Sequence, residues 1–358
     1  MSHSVLENRQ AMKKLDPEGA LASVESMADQ VKQVWEEQAQ IDLTGYQNIS
    51  NIVVAGMGGS ALGADLVKNL YKDSLSLPLE ICKDYSLPHY VNQNTLVILS
   101  SYSGNTEETL HCAMEAEQKK AMIMVITAGG KLANLATTKK YPHYFINPKF
   151  NPANQPRLAT AYNIMALILV LQKLALIEFT EEHFHQILDA INVTTQACLP
   201  EVTQEKNQAK ILAYLFVERR PILVGAEFLE GALHIATNQL NENAKIFADY
   251  KIIPEINHHL LEGLTFPKSN PLNHFFAFFQ STLYRNEIQK RIKLSKQAIE
   301  KTGIESIEIK LETETKLMQA FELLTLGAFS NLYLAYLEGV DPCPIPTVDW
   351  FKAQLEKS

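Results

Sequence analysis

The chain has 358 residues, enough for two domains of ordinary size. Its 46% hydrophobic and 20% charged residues are the balance of a globular protein, which excludes a disordered or fibrous chain. A net charge of −8 with no dense basic run excludes a nucleic-acid partner, because phosphate backbones are gripped by concentrated lysine and arginine.

Met1 to Ala20 is polar and lacks the apolar core of a signal peptide. Asp16 before Pro17 predicts an N-cap and a first helical residue, and Leu21, Val24, Met27, Val31 and Val34 then recur at helical spacing. Asn51 to Ala55 is a short apolar run ending in glycines, a buried strand, and Ser60 to Tyr71 is the helix that follows. Leu79 to Cys82 and Thr95 to Ser100 are further strands. The second leads through Ser101 to Thr109 into a helix ending near Lys119. Ala121 to Thr127 and Tyr144 to Asn147 complete the alternation of strand and helix. That alternation predicts an α/β fold, a mainly parallel, doubly wound sheet with helices on both faces.

Three prolines between Asn147 and Pro156 place a domain boundary there, with one domain over residues 1–152 and another over 153–358. Leu158 to Ile177 approaches the length of a membrane span, but Asn163, Gln172 and Lys173 interrupt it, so a buried helix is expected and no membrane partner. Beyond it the plan repeats. Arg220 to Gly225 is again a strand ending in glycine, followed by a helical run through Leu229, Leu233 and Ala236. Phe275 to Gln280, Ser281 and a charged helix from Arg285 to Glu300 stand where the serine-rich loop stood in the first half. Cys82, Cys112, Cys198 and Cys343 form no CxxC pair or Cys/His cluster, which fits reduced thiols in a cytoplasmic protein and no metal site.

Two loops carry the chemistry. Gly56-Met57-Gly58-Gly59-Ser60 lies between strand and helix, where unpaired amides at a helix start and the absence of side chains let an anion approach the backbone. Ser101, Ser103 and Thr106 supply hydroxyls from a second loop, and parallel strands end at the same edge of a sheet, so both loops can meet one ligand. Gly56, Gly58 and Ala61, with Glu80 downstream, also fit a loose dinucleotide fingerprint. A nicotinamide site leaves the hydroxyl-rich loop without a purpose, whereas a sugar phosphate uses it. Ser101, Ser103 and Thr106 can equally cap the next helix.

Six motifs occur in order from about residue 50 onward: Gly56 to Ser60, Ser101 to Thr106, Pro156-Arg157, Asn241 to Lys245, Pro254 to His258 and Gly339 to Pro342. Together they resemble the bifunctional phosphoglucose/phosphomannose isomerases, proteins of two sugar-isomerase (SIS) domains. The resemblance implies a flavodoxin-like sheet in each half and interconversion of glucose 6-phosphate and/or mannose 6-phosphate with fructose 6-phosphate through a cis-enediol, without cofactor or metal. It makes Gly58, Gly59 and Ser60 sugar contacts and Ser101, Ser103 and Thr106 the phosphate pocket. By the same resemblance Glu242 is the base between C1 and C2, Arg157 stabilises the enediolate, and His258 and Lys352 assist ring opening, the histidine reaching across a homodimer.

The residue types suit those tasks. A carboxylate can move a proton between adjacent carbons, a guanidinium is a permanent cation for an oxyanion, and an imidazole titrates near neutrality. Without the resemblance, Glu242 is one more glutamate on a polar helix and Lys352 one more solvated lysine. Ala159 to Ala161, His259 and Cys343 depart from the family's usual residues and leave the choice between C2 epimers open. Two other functions fit the loops, a sugar-phosphate sensor and an NAD-dependent dehydrogenase. The sensor lacks any chain left over for an output module.

Overall fold

The computed structural model describes residues 5–355 and 357. Three short helices lead the chain, α1 (Arg9–Leu15), α2 (Ala20–Glu25) and α3 (Met27–Glu36). The expected helix start at Asp16 and Pro17 is displaced. The Asp16 carboxylate accepts the amides of Gly19, Ala20 and Leu21 at 3.0, 2.7 and 2.8 Å, and the helix begins only at Ala20, after Gly19 has turned through φ +83°. That positive φ favours glycine, so the turn and not the proline sets the boundary. The apolar stripe also divides, because Ser26, at φ −91° and ψ 13°, interrupts the helical path between α2 and α3.

The first sheet is built from β1 (Asn51–Ala55), α4 (Gly59–Leu70), β2 (Leu79–Cys82), β3 (Thr95–Ser101), α5 (Glu107–Gln118), β4 (Met122–Thr127), α6 (Gly130–Lys139) and β5 (His143–Phe145). All its strands are parallel, in the order β2-β1-β3-β4-β5. This is the flavodoxin-like arrangement, which opens a crevice at the carboxyl ends of the central strands. Side chains alternate across it. Ile52, Val54, Leu96, Ile98, Met124 and Ile126 face the main core, while Val53, Ala55, Val97, Leu99, Ile123 and Val125 pack under α5 and α6. With both faces covered, the strands read as continuous apolar runs.

Three helices follow, α7 (Thr160–Lys173), α8 (Glu181–Cys198) and α9 (Gln208–Phe216). The second sheet then takes β6 (Arg220–Ala226), α10 (Glu230–Asn243), β7 (Asp249–Ile253), α11 (Leu260–Gly263), α12 (Asn270–Asn273), β8 (His274–Gln280), α13 (Asn286–Glu300) and β9 (Glu305–Lys310), and the chain closes with α14 (Lys316–Leu337) and α15 (Pro346–Leu355). Its strands are parallel in the order β7-β6-β8-β9. Strand for strand this is the first sheet without its last member, so the weak repeat in sequence is a repeat in topology. Among the described residues the helix long and apolar enough to cross a membrane is α14, not the run at Leu158, and 83% of its apolar window is buried inside the protein. It packs against α8, α9 and α10 as a core helix.

One contact between the halves is especially close. Gly231, at the start of α10, lies so close to α4 that a Cβ there would sit 2.3 Å from Cα of Leu66. The far end of α10 meets Arg157, and Arg157 lies against the start of α4, so the two helices run side by side in opposite directions.

Candidate active site

The glycine loop begins with a close approach: a Cβ on Gly56 would stand 2.6 Å from the carbonyl oxygen of Ser100 on the neighbouring strand. Gly58 then turns through φ +48° and ψ −132°, a backbone conformation open to glycine, and starts α4 without any side-chain cap. Uncapped amides at the positive end of a helix are a ready anion site.

The two loops are tied together through Ser60. Its hydroxyl accepts the amide of Tyr102 at 3.0 Å, and its carbonyl accepts the hydroxyl of Ser100 at 3.0 Å. Ser101 Oγ lies 2.8 Å from Thr106 Oγ1 and accepts the amide of Gly104 at 3.1 Å; Ser103 Oγ accepts the amide of Asn105 at 3.3 Å. Ser60 and Ser101 are buried and bonded within the protein, whereas Ser103 is exposed and Thr106, which opens α5, makes no capping bond to it. Ser103 is therefore the most open of these hydroxyls, and Thr106 shares its own with Ser101. Tyr102 extends the bridge, its hydroxyl donating to Asn154 Oδ1 at 3.1 Å and accepting from Asn151 Nδ2 at 3.0 Å.

That segment delivers Arg157. Pro156 opens a short turn over Pro156–Leu158, and a Cβ on Gly59 would lie 3.2 Å from the carbonyl of Pro156 and 3.3 Å from the amide of Arg157. Glycine thus lets the loop rest on the arginine's backbone. The side chain of Arg157 is only 2% exposed, yet well satisfied. Nη1 donates to Gln155 Oε1 at 2.9 Å, Nη2 to the carbonyls of Pro342 and Cys343 at 2.8 and 2.7 Å, and Nε to Asn243 Oδ1.

Glu242 stands on the last turn of α10 with its Oε2 3.5 Å from Nη1 of Arg157 and its side chain 32% exposed. Burial pushes its carboxyl above the ordinary value of 4.5, while Arg157, Lys245 and Lys352 pull it back. The carbonyl end of a helix adds to the upward push, since a negative charge is unfavourable there. Burial likewise lowers Arg157 against the attraction of Glu242. A partly open carboxylate with a raised proton affinity, facing a fixed cation, can take a proton and return it.

The remaining candidates stand apart. Lys352, on the fully exposed α15, reaches Glu242 through charge alone. His258 ends the turn Glu255–His258 after β7, exposed, and its side chain makes no hydrogen bond to any other described residue. A groove at the start of β6, β7 and β8, lined by Arg220, Phe247, Asp249, Phe266, Asn270 and His274, contains none of the candidate groups. What sequence reading missed is the frame around Arg157: Gln155, Asn243 and the carbonyls of Pro342 and Cys343. Asn243 adjoins Glu242 in the Asn241 to Lys245 motif and was within reach; the carbonyls come from a segment 185 and 186 residues away.

A family model described as the SIS domain matches residues 46–171, and one described as the bacterial phospho-glucose isomerase C-terminal SIS domain matches residues 205–355. The bifunctional phosphoglucose/phosphomannose isomerase of Caldicellulosiruptor bescii is 31% identical over 343 residues, covering 93% of this chain and 98% of the relative. That of Thermoplasma acidophilum is 31% identical over 309 residues, covering 86% and 90%. In fold the chain is similar to a hypothetical protein of Thermus thermophilus, with a TM-score of 0.76 at 16% identity over 98% of this chain and 93% of that one. Two SIS-type sheets in tandem, motifs in family order and relatives matched end to end lead to one conclusion: the chain belongs to the bifunctional phosphoglucose/phosphomannose isomerase family.

Proposed function

We propose that the protein interconverts glucose 6-phosphate and mannose 6-phosphate with fructose 6-phosphate through a cis-enediol intermediate. The observation that carries this reading is the Glu242 carboxylate, 3.5 Å from a buried arginine whose backbone abuts Gly59. The phosphate is held by the hydroxyls of Ser101, Ser103 and Thr106 with the amides at the start of α5, and the sugar lies along Gly58, Gly59 and Ser60. Phosphate contacts remote from the reacting carbons hold C1 and C2 in register with the base. Glu242 removes a proton from one carbon and returns it to the other, and Arg157 meets the negative charge that develops on oxygen between the two transfers. Lys352 assists ring opening from the cleft's edge. His258, exposed in a single chain, serves the same step in the site of a second copy, so the working unit is a cytoplasmic homodimer.

A coupled assay of one preparation tests the proposal. Fructose 6-phosphate is expected to yield both glucose 6-phosphate and mannose 6-phosphate at rates unchanged by EDTA, because no step uses a metal ion. Formation of neither aldose by folded protein would overturn it.

The raised proton affinity of Glu242 sets the pH dependence. The base must be ionised, so kcat/KM climbs with pH through an acid limb lying above the ordinary carboxylate value of 4.5. Lys352 lowers that limb, and Lys352→Met is therefore expected to move it to higher pH, whatever the change in maximal rate. A pH profile of kcat/KM checks the sign; a limb that stays or moves down would separate Lys352 from Glu242.

A further inference from the structure

Arg157 is enclosed by a ring of buried amides that the reaction alone does not require. Gln239, Asn243 and Asn331 are 1%, 0% and 0% exposed. Arg157 Nε donates to Asn243 Oδ1, Asn243 Nδ2 donates to Asn331 Oδ1 at 2.7 Å, and Asn331 Nδ2 donates both to Gln239 Oε1 at 3.1 Å and to the carbonyl of Gly327 at 2.7 Å. Gln239 Nε2 then donates to the carbonyl of Arg157 itself at 2.8 Å, closing the ring on the residue where it began.

An amide side chain can turn over and exchange its donor for its acceptor. Here none can. The carbonyls of Gly327 and Arg157 only accept, and a guanidinium only donates, so every amide between them has a single permitted orientation. Turning any one would set donor against donor or acceptor against acceptor in a dry interior, where unmet polar groups are costly. Asn331 gives Asn243 Nδ2 its acceptor and so holds Asn243 in place, and Asn243 Oδ1 holds the guanidinium by Nε. Together with the two carbonyls on Nη2 and Gln155 on Nη1, that bond sets the plane of the fork, with Nη1 3.5 Å from Glu242 Oε2.

We infer that Asn331, on α14, is a positioning residue for the isomerisation: acting through Asn243, it helps fix the plane in which Arg157 presents Nη1 beside Glu242. The inference rests on the proposed role of Arg157 at the enediolate. It explains why a buried polar side chain sits in a core helix without touching the cleft.

The test pairs steady-state kinetics with an NMR signal that needs no turnover, the Arg157 Nε–Hε resonance, assigned by its loss in Arg157→Lys. In wild type the signal is expected to be protected from solvent exchange. Asn331→Leu, close in volume, is expected to lower kcat by about 10- to 100-fold, the scale of a small misplacement of a reacting group, with KM nearly unchanged because the phosphate contacts are intact. The same substitution should expose the Nε–Hε signal to exchange. Asn243→Asp accepts from Nε in either orientation, so adding it to Asn331→Leu should restore the protected signal. If Asn331→Leu does not fold, Asn331→Ala removes the same acceptor without adding bulk and carries the same expectations. A folded variant with wild-type kcat, or one whose kcat falls while the Nε–Hε signal stays protected, overturns the inference. Wild-type protein that shows the protected signal but isomerises neither hexose phosphate overturns the functional reading instead, and the positioning role with it.

Discussion

Replacing Glu242 with glutamine is expected to lower kcat by about 10³-fold, the typical scale of a positioned general base, while leaving hexose 6-phosphate binding in place. The amide keeps the shape of the side chain but cannot accept a proton. The fold should tolerate it, because Arg157 retains Asn243, Gln155 and the carbonyls of Pro342 and Cys343 when the carboxylate is gone. Coupled kinetics measure the loss, and a substrate-induced rise in melting temperature measures the binding, since a ligand of the native state stabilises it. Loss of binding together with turnover would make Glu242 a substrate contact, and unchanged kcat would remove it as the base.

Gly231→Ala should be damaging out of proportion to its size, although the residue touches no candidate group. Alanine inside a helix normally stabilises relative to glycine by up to about 1 kcal/mol. At this position the sign reverses. The new Cβ would lie 2.3 Å from Cα and 2.4 Å from the nitrogen of Leu66, and backbone cannot rotate aside as a side chain can. The helices α4 and α10 must part, at a cost of about 3 kcal/mol, the upper range for overpacking. Because α4 begins with the glycine loop and α10 ends with Glu242, kcat/KM is expected to fall by at least about 10-fold in the same variant. Gly263→Ala, whose Cβ would meet nothing within 4 Å, is the control and should leave both properties near wild type. Chemical denaturation and the coupled assay read the two effects; equal stability of Gly231→Ala and wild type would refute the close approach.

The strands were the most legible part of the chain, and the reason is physical. Central strands of a covered parallel sheet are buried on both faces, so Asn51–Ala55 and Thr95–Ser101 stand out as short apolar runs, whereas the edge strand Leu79–Cys82 keeps Glu80 exposed. The start of α2 was less legible, since a positive φ at Gly19 outweighs the helix-opening pattern of Asp16 and Pro17. Of the site, the glycine and serine loops declare themselves by composition, but Glu242 does not. On periodicity it is a polar residue near the end of a helix, and only the resemblance singles it out; its partner Arg157 lies in a different stretch of chain, before α7. Asn331 is the converse case. It is one of several polar residues on the largely apolar α14, and its partners Asn243 and Gln239 lie 88 and 92 residues away, so no local pattern links them.

A crystal structure with an aldonate analogue of the enediolate tests most directly whether one cleft joins base, cation and phosphate loop. The analogue's carboxylate, standing in for the enediolate oxygens, should lie within about 3.2 Å of Arg157 Nη1, with Glu242 over the carbon pair and the phosphate on Ser101, Ser103 and Thr106. An analogue bound with its phosphate elsewhere, or with Glu242 turned away from the carbon pair in every copy, would contradict the mechanism.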